Sequence, residues 1–266
     1  MSWQKWYRQF EDFLARIPLE RYSELREIKT VEQDLPKSIN PMYMLYEYYW
    51  DEKRFVDFDQ FFDEYWNRNI EEIMEFKEKY FWGCTDEFVR IGFRARIFRT
   101  WVSFLTQLHF MYLWNNLFEE KVVANAELDM KGIDGKVFIA DRYVGFQVKK
   151  ISYRREVRER KFIVTRRKTG VDMVVEIPYS VAYPDDLEQR IKRARSEETR
   201  SRYMRELTLI RRFLHRLNNG FVVFMPEYPQ GVYNIIFDIL RQGRSRDVLR
   251  WDELLELLTS QASKKP

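Results

Sequence analysis

Cysteine is nearly absent from this chain of 266 residues: Cys84 stands alone. A single thiol excludes an intramolecular disulfide and any zinc cluster built on cysteine. Histidine is almost as scarce, with only His109 and His215, and no serine sits in a G-x-S-x-G elbow. A Ser-His-Asp hydrolase is therefore not expected. There is no glycine-rich phosphate loop and no dinucleotide fingerprint, since "GIDGK" at residues 132–136 has the spacing of neither. The chain holds nine glycines and eight prolines, too few for a low-complexity linker, and no internal repeat stands out. Its first residues, "MSWQKWYRQFEDF", carry charge throughout and lack the apolar core of a signal segment. The expectation is a soluble, cytoplasmic protein without a membrane partner. One uncharged run, "TWVSFLTQLHFMYLWNNLF" at residues 100–118, contains Thr, Ser, Gln, His and two Asn. A lipid-facing helix would tolerate these poorly, so the run is expected to be a buried core helix. His109 within it is expected to be a satisfied buried histidine. His215 is expected near a helix C-terminus, where a cation is favourable.

What the chain has in quantity is apolar residues, at 45%, and charge, at 33%. The first is ample for a core, and the second fits a protein built for high temperature. The net charge of +4 hides an uneven distribution. Residues 1–80 hold 12 Lys and Arg against 18 Asp and Glu, whereas residues 142–168 hold 11 against 2. The basic run includes Arg154, Arg155, Arg158, Arg166, Arg167 and Lys168. Such a run is often only a solvated face, but here it follows a cluster of acids, and a polyanion is the partner that uses both.

Aromatic spacing predicts helices over residues 2–17 and 57–81. A third is expected from a Thr85 cap to about residue 118, with Arg94 and Arg99 among the arginines of its first half. Strands are expected at 137–140 and 143–151, joined by a tight Asp-Arg turn, and a second hairpin at 162–165 and 171–177 around "RRKTG". After Pro184 a charged helix should reach about residue 217, with Gly220 as its stop signal. A buried strand (221–225), a mixed segment to 241 and a short helix (251–258) follow. The expected class is α/β or α+β: a mixed sheet flanked by helices, with a helical region at 1–82 and a core at 83–266.

The chemistry concentrates in "AELDMKGIDGKVFIADRYVGFQVKK", residues 126–150. If its two strands pair, Asp134 approaches Gln147 and Lys149 at the open end of the hairpin. Alternation puts Gln147 and Lys149 on one face and Val148 on the other. An Asp and a Gln offer oxygens to a hard cation such as Mg²⁺, the Val148 carbonyl can add another, and Lys149 supplies a fixed positive charge. That set suits phosphodiester hydrolysis. The plain alternative is a solvent-facing hairpin. The basic run, the further acids Glu127 and Asp129, and the helix arginines tilt the balance towards function.

At these residues the chain resembles a known family. Asp134, Gln147 and Lys149 resemble the D…(D/E)-x-K pattern of the PD-(D/E)xK nucleases, with Gln147 in the acid's slot. "IKTVEQDLP" (28–36), "NP" (40–41), "RTW" (99–101), "LTQ" (105–107), "AELD", "GID" and "QVKK" narrow the resemblance to the TaqI-type type II restriction endonucleases, over residues 28–150. The resemblance implies a PD-(D/E)xK core and Mg²⁺-dependent cleavage of double-stranded DNA within TCGA, between T and C, leaving 5′ overhangs. It assigns Asp129 and Asp134 as essential acids and Lys149 as the essential lysine. A homodimer matched to a palindrome is implied, as is pairing with a cognate DNA methyltransferase. Ile133 stands where a proline often precedes the metal-binding Asp. The neutral Gln147 leaves Asp129 or Glu127 to supply a missing carboxylate. A structure-specific repair or junction nuclease and a non-catalytic basic DNA-binding protein are the competing readings.

Overall fold

The computed structural model describes residues 2–151, 169–242 and 247–262. The chain divides into two units, one made of Arg8–Leu108 with Asn218–Phe221, the other of Met1–Tyr7, His109–Leu217 and Val222–Pro266.

The first unit is helical, and its core is aromatic. Helices α1 (Trp3–Arg16), α2 (Met42–Leu45), α3 (Phe58–Arg68), α4 (Ile70–Tyr80) and the first two-thirds of α5 (Asp86–Leu117) supply most of it. Phe10, Phe13, Tyr49, Phe58 and Trp101 are buried. The polar tips are bonded, as burial demands: Trp101 Nε1 donates to Tyr49 Oη at 2.7 Å, and Tyr49 Oη donates to the Val56 carbonyl at 2.7 Å. The single helix expected over 57–81 is two, because the chain leaves helical geometry at Asn69 (φ −120°, ψ 19°). Asp57 caps the first of them by accepting from Gln60 N at 2.8 Å, and Thr85 accepts from Phe88 N at 3.2 Å before α5, as expected of N-caps.

Gly92 on α5 lets the segment at residues 30–31 lie directly against the helix. A Cβ at Gly92 would stand 2.3 Å from Thr30 Oγ1 and 2.7 Å from Val31 Cγ2. Both neighbours are β-branched and stiff, and Arg96 Nη1 holds the Val31 carbonyl at 3.2 Å. Alanine gains about 1 kcal/mol of helix propensity over glycine, but overpacking costs about 1–3 kcal/mol. Gly92→Ala is therefore expected to lower stability by up to about 2 kcal/mol, read as a fall in the thermal unfolding midpoint.

The second unit carries the sheet. Among the described residues, four strands lie in the order β1 (Gly135–Ile139), β2 (Arg142–Lys150), β3 (Met173–Tyr179) and β6 (Val248–Leu249). β1 and β2 are antiparallel, whereas β3 is parallel to both β2 and β6. The fold is thus the expected mixed α/β type. The turn between β1 and β2 is Ala140-Asp141, both at positive φ (46° and 60°). It lies one residue earlier than expected and matches the backbone of tight hairpin turns. On β2, Val144 and Phe146 are buried, and Phe146 packs on Phe110 and Trp114 of α5 at ring distances of 5.4 and 4.8 Å. The uncharged run ending α5 is a core helix as expected. No described helix is long and apolar enough to cross a membrane. His109 is fully buried, its Nδ1 accepting from Phe224 N at 3.3 Å.

Several expectations past residue 151 need correction. Residues 162–165 lie outside the described residues, and the strand placed at 171–177 has parallel partners on both edges instead of a hairpin mate. The charged helix after Pro184 is two helices, α7 (Pro184–Arg193) and α8 (Glu197–Phe213). Ser196 starts the second by accepting from Thr199 N at 3.2 Å. Gly220, at φ +86°, belongs to the loop between β4 (Leu214–Arg216) and β5 (Val222–Phe224), whereas His215, on β4, lies just past the C-terminus of α8, near a helix end as expected. The mixed segment before 241 is helix α9 (Glu227–Arg241), whose pattern Pro229 and Gly231 obscure, and α10 (Trp251–Ala262) closes the chain.

Candidate active site

The register of the sheet assembles the candidate residues. Gly135 pairs with Phe146, the last rung of the β1–β2 ladder. One residue earlier, Asp134 donates its N–H to the Phe146 carbonyl at 2.9 Å, and its Oδ2 accepts from Val148 N at 2.5 Å. Its backbone and carboxylate thus bind β2 on either side of Gln147. In the parallel ladder Gln147 pairs with Glu176, and paired residues of neighbouring strands point to the same side. Gln147, Lys149 and Glu176 therefore share one face, opposite the one on which Phe146 packs. Gly145 on this site face keeps room for Ile133, whose Cδ1 would lie 2.8 Å from a Cβ there.

Two features mark the site electrostatically. Burial, and the neighbouring charge of Asp129, push the Asp134 carboxyl well above the usual carboxylate range; the Val148 N–H and Lys149 pull the other way without prevailing. Gln147 donates its Nε2 to the Gly132 carbonyl. That bond fixes the amide's orientation, and it leaves Oε1 buried with no hydrogen-bond partner among the described residues. A buried orphan acceptor carries a free-energy penalty that a ligand would remove.

Short helix α6 (Ala126–Met130), capped by Asn125 accepting from Leu128 N at 2.9 Å, carries the other two acids. Asp129 is half-buried and felt by Asp134, and Glu127 is exposed. Among the described residues no three Asp, Glu, His or Cys gather closely enough to hold a metal ion. A cation here would therefore draw on Asp134, on the orphan Gln147 oxygen and on backbone carbonyls such as that of Val148. These are hard oxygens, and they fit Mg²⁺, which retains several waters.

Lys149 donates Nζ to Glu176 Oε1 at 2.8 Å, and the other oxygen, Oε2, accepts from Trp251 N at 3.1 Å. Glu176 is 2% exposed. The sequence alone did not single it out, because its strand was expected to pair in a hairpin with 162–165. A lone acid in the apolar run "MVVEIPY" was the available signal.

Of the residues expected to bind DNA, Arg154, Arg155, Arg158, Arg166, Arg167 and Lys168 lie outside the described residues. Arg94 and Arg99 lie on α5 in the other unit and are engaged there. Arg94 pairs with Asp59 and lies over the Phe58 and Phe62 rings at 5.6 Å. Arg99 donates to the Ile28 carbonyl and, at 2.6 Å, to Glu32 Oε1. Together with Arg96 it anchors the segment "IKTVEQDLP" to the helix.

The family model of the TaqI restriction endonuclease matches residues 7–236. The chain is 43% identical over 238 residues to the type II restriction enzyme TthHB8I of Thermus thermophilus, covering 88% of this chain and 89% of that protein. It is 40% identical over 259 residues to the type II restriction enzyme TaqI of Thermus aquaticus, covering 95% of each. No solved structure gives a significant match. With a family match over most of its length and two relatives of this similarity, the chain belongs to the TaqI restriction endonuclease family.

Proposed function

We propose that this protein is a type II restriction endonuclease that hydrolyses phosphodiesters of double-stranded DNA at a fixed short sequence, with Mg²⁺ as cofactor. The observation that carries the chemistry is the orphan Gln147 oxygen beside a buried Asp134 whose carboxyl is pushed above the usual carboxylate range. Both groups are left in a costly state that a divalent cation relieves. When bound, the cation supplies Lewis-acid polarisation of a phosphoryl oxygen and activation of water. Asp134, Gln147 and the Val148 carbonyl hold it, with Asp129 or Glu127 contributing charge from α6. Lys149 steadies the attacking water and the negative charge that grows on the phosphate.

The target is proposed to be TCGA, cut between T and C. A palindrome of this kind is read by a two-fold dimer, and such an activity in a cell requires a cognate DNA methyltransferase to protect the host sequence. Incubating the purified protein with unmodified plasmid and Mg²⁺ tests the reading. Discrete fragments whose ends map within TCGA are expected. Structure-dependent nicks would favour a junction nuclease, and retarded but intact DNA a non-catalytic binder.

The basic run at 154–168 is proposed to contact the DNA backbone. Neutralising single arginines there should weaken binding to all sequences about equally. Each lost phosphate contact should reduce the slope of log affinity against log salt by roughly one unit. Titrations at several salt concentrations measure this; an unchanged slope and affinity would make the run an ordinary solvated segment.

A further inference from the structure

We propose that Glu176 is the positioning residue for Lys149, fixing its ammonium within the site and tying it to the start of α10. The proposal rests on the nuclease reading for what Lys149 does, but its geometric content stands apart from that reading.

Lysine is a flexible chain ending in a strongly hydrated point charge, so its position must be imposed from outside. Glu176 is suited to impose it. It projects from the central strand β3, in register with Gln147, and is almost wholly buried. Each of its oxygens has an assigned donor, Lys149 Nζ at 2.8 Å and Trp251 N at 3.1 Å. The second contact orients the carboxylate, because Trp251 opens α10, where helix N–H groups favour negative charge.

Stability alone is a poor reason for such an arrangement. A buried ion pair is commonly no more stable than well-packed apolar residues of the same volume. The neighbours of Glu176 on β3, Val174, Val175 and Ile177, are all buried and apolar. An acid among them, bonded to a lysine that neighbours Gln147 on the same strand and face, is better accounted for by the lysine it holds. Glu176 is not a metal-ligand candidate in this arrangement, since both oxygens are already engaged.

The test uses the full chain and Glu176→Gln, which keeps the shape but leaves one oxygen for two donors. In metal-free protein, reductive methylation followed by mass spectrometry reads how firmly Lys149 is held, with Lys150 as internal control. Labelling of Lys149 is expected to rise several-fold while that of Lys150 stays constant. With Mg²⁺ and DNA, kcat should fall about 10–100-fold, the range for residues that orient a functional group, with DNA affinity nearly unchanged. In a Lys149→Ala background, Glu176→Gln should add no further loss, because its effect passes through the lysine. Unchanged labelling, unchanged kcat, or losses that add in the double variant would each overturn the proposal. If Glu176→Gln fails to fold, Glu176→Asp keeps the charge but shortens its reach. It should raise Lys149 labelling as well, and failure to do so overturns the proposal equally. Were the wild-type protein to cleave no DNA, the nuclease reading would fall while the labelling still decided the positioning role.

Discussion

Asp134→Ala is expected to abolish cleavage in Mg²⁺ while leaving DNA binding intact or improved. The carboxylate is bonded to Val148 N and stands on the same hairpin end as the orphan Gln147 oxygen. Its removal takes away the acid that the hairpin end holds against β2, and neither Asp129 nor Glu127 on α6 forms a three-acid group with it. Binding should not suffer, because a carboxylate facing phosphate is repulsive unless a cation lies between them. Gel retardation and cleavage of the same DNA separate the two effects. Normal cleavage by Asp134→Ala would remove Asp134 from the site.

The same residue makes a prediction about stability. Burial and Asp129 raise its folded-state pKa above the ordinary carboxylate value. Such a group binds more protons folded than unfolded between those two values. Its contribution is present at low pH and is lost as pH rises through the raised value. At neutral pH, above the ordinary carboxylate value, this group therefore destabilises the metal-free protein. Asp134→Asn, which can still accept from Val148 N, should raise its unfolding temperature while abolishing cleavage, and the difference from wild type should shrink as pH falls. A lower unfolding temperature at neutral pH would show that the Asp134 carboxyl is well accommodated without a cation.

How far the sequence discloses this molecule depends on how local the determinants are. The helices α1 and α5 and the β1–β2 hairpin follow from spacing and caps, because those signals act within a few residues. Asp134, Gln147 and Lys149 were legible for the same reason, all three lying on one hairpin. The parallel pairing of β3 was not legible. Nothing in "MVVEIPY" reports which strand will lie beside it, and a short apolar run reads alike in either orientation. Glu176 was missed together with it, since its partners Lys149 and Trp251 are 27 and 75 residues away. The helix arginines show the converse. As a row of charges Arg94 and Arg99 look available to DNA, but the folded chain engages them with Asp59, Glu32 and the backbone of the preceding loop. Charge counted along a sequence says nothing about which counter-charges folding brings to it.

Lys149→Ala should slow cleavage by about 10²–10³-fold, the range for losing one electrostatic contact to the transition state, whereas Lys150→Ala should change it only several-fold. The two lysines are adjacent, equal in charge and in the same basic neighbourhood, so long-range attraction for DNA hardly distinguishes them. What separates them is the pleat. Lys149 is half-buried, shares the face of Gln147 and is held by Glu176, whereas Lys150 is exposed at the end of β2. Removing Lys149 also leaves a buried carboxylate short of a donor, which destabilises the fold. The rates must therefore be compared at a temperature where both variants remain folded, and at saturating DNA so that affinity drops out. Under those conditions a large loss confined to Lys149→Ala assigns the role by side-chain direction alone. Equal losses from the two substitutions would mean that charge near the phosphate, and not its placement on this face of the sheet, is what the reaction needs.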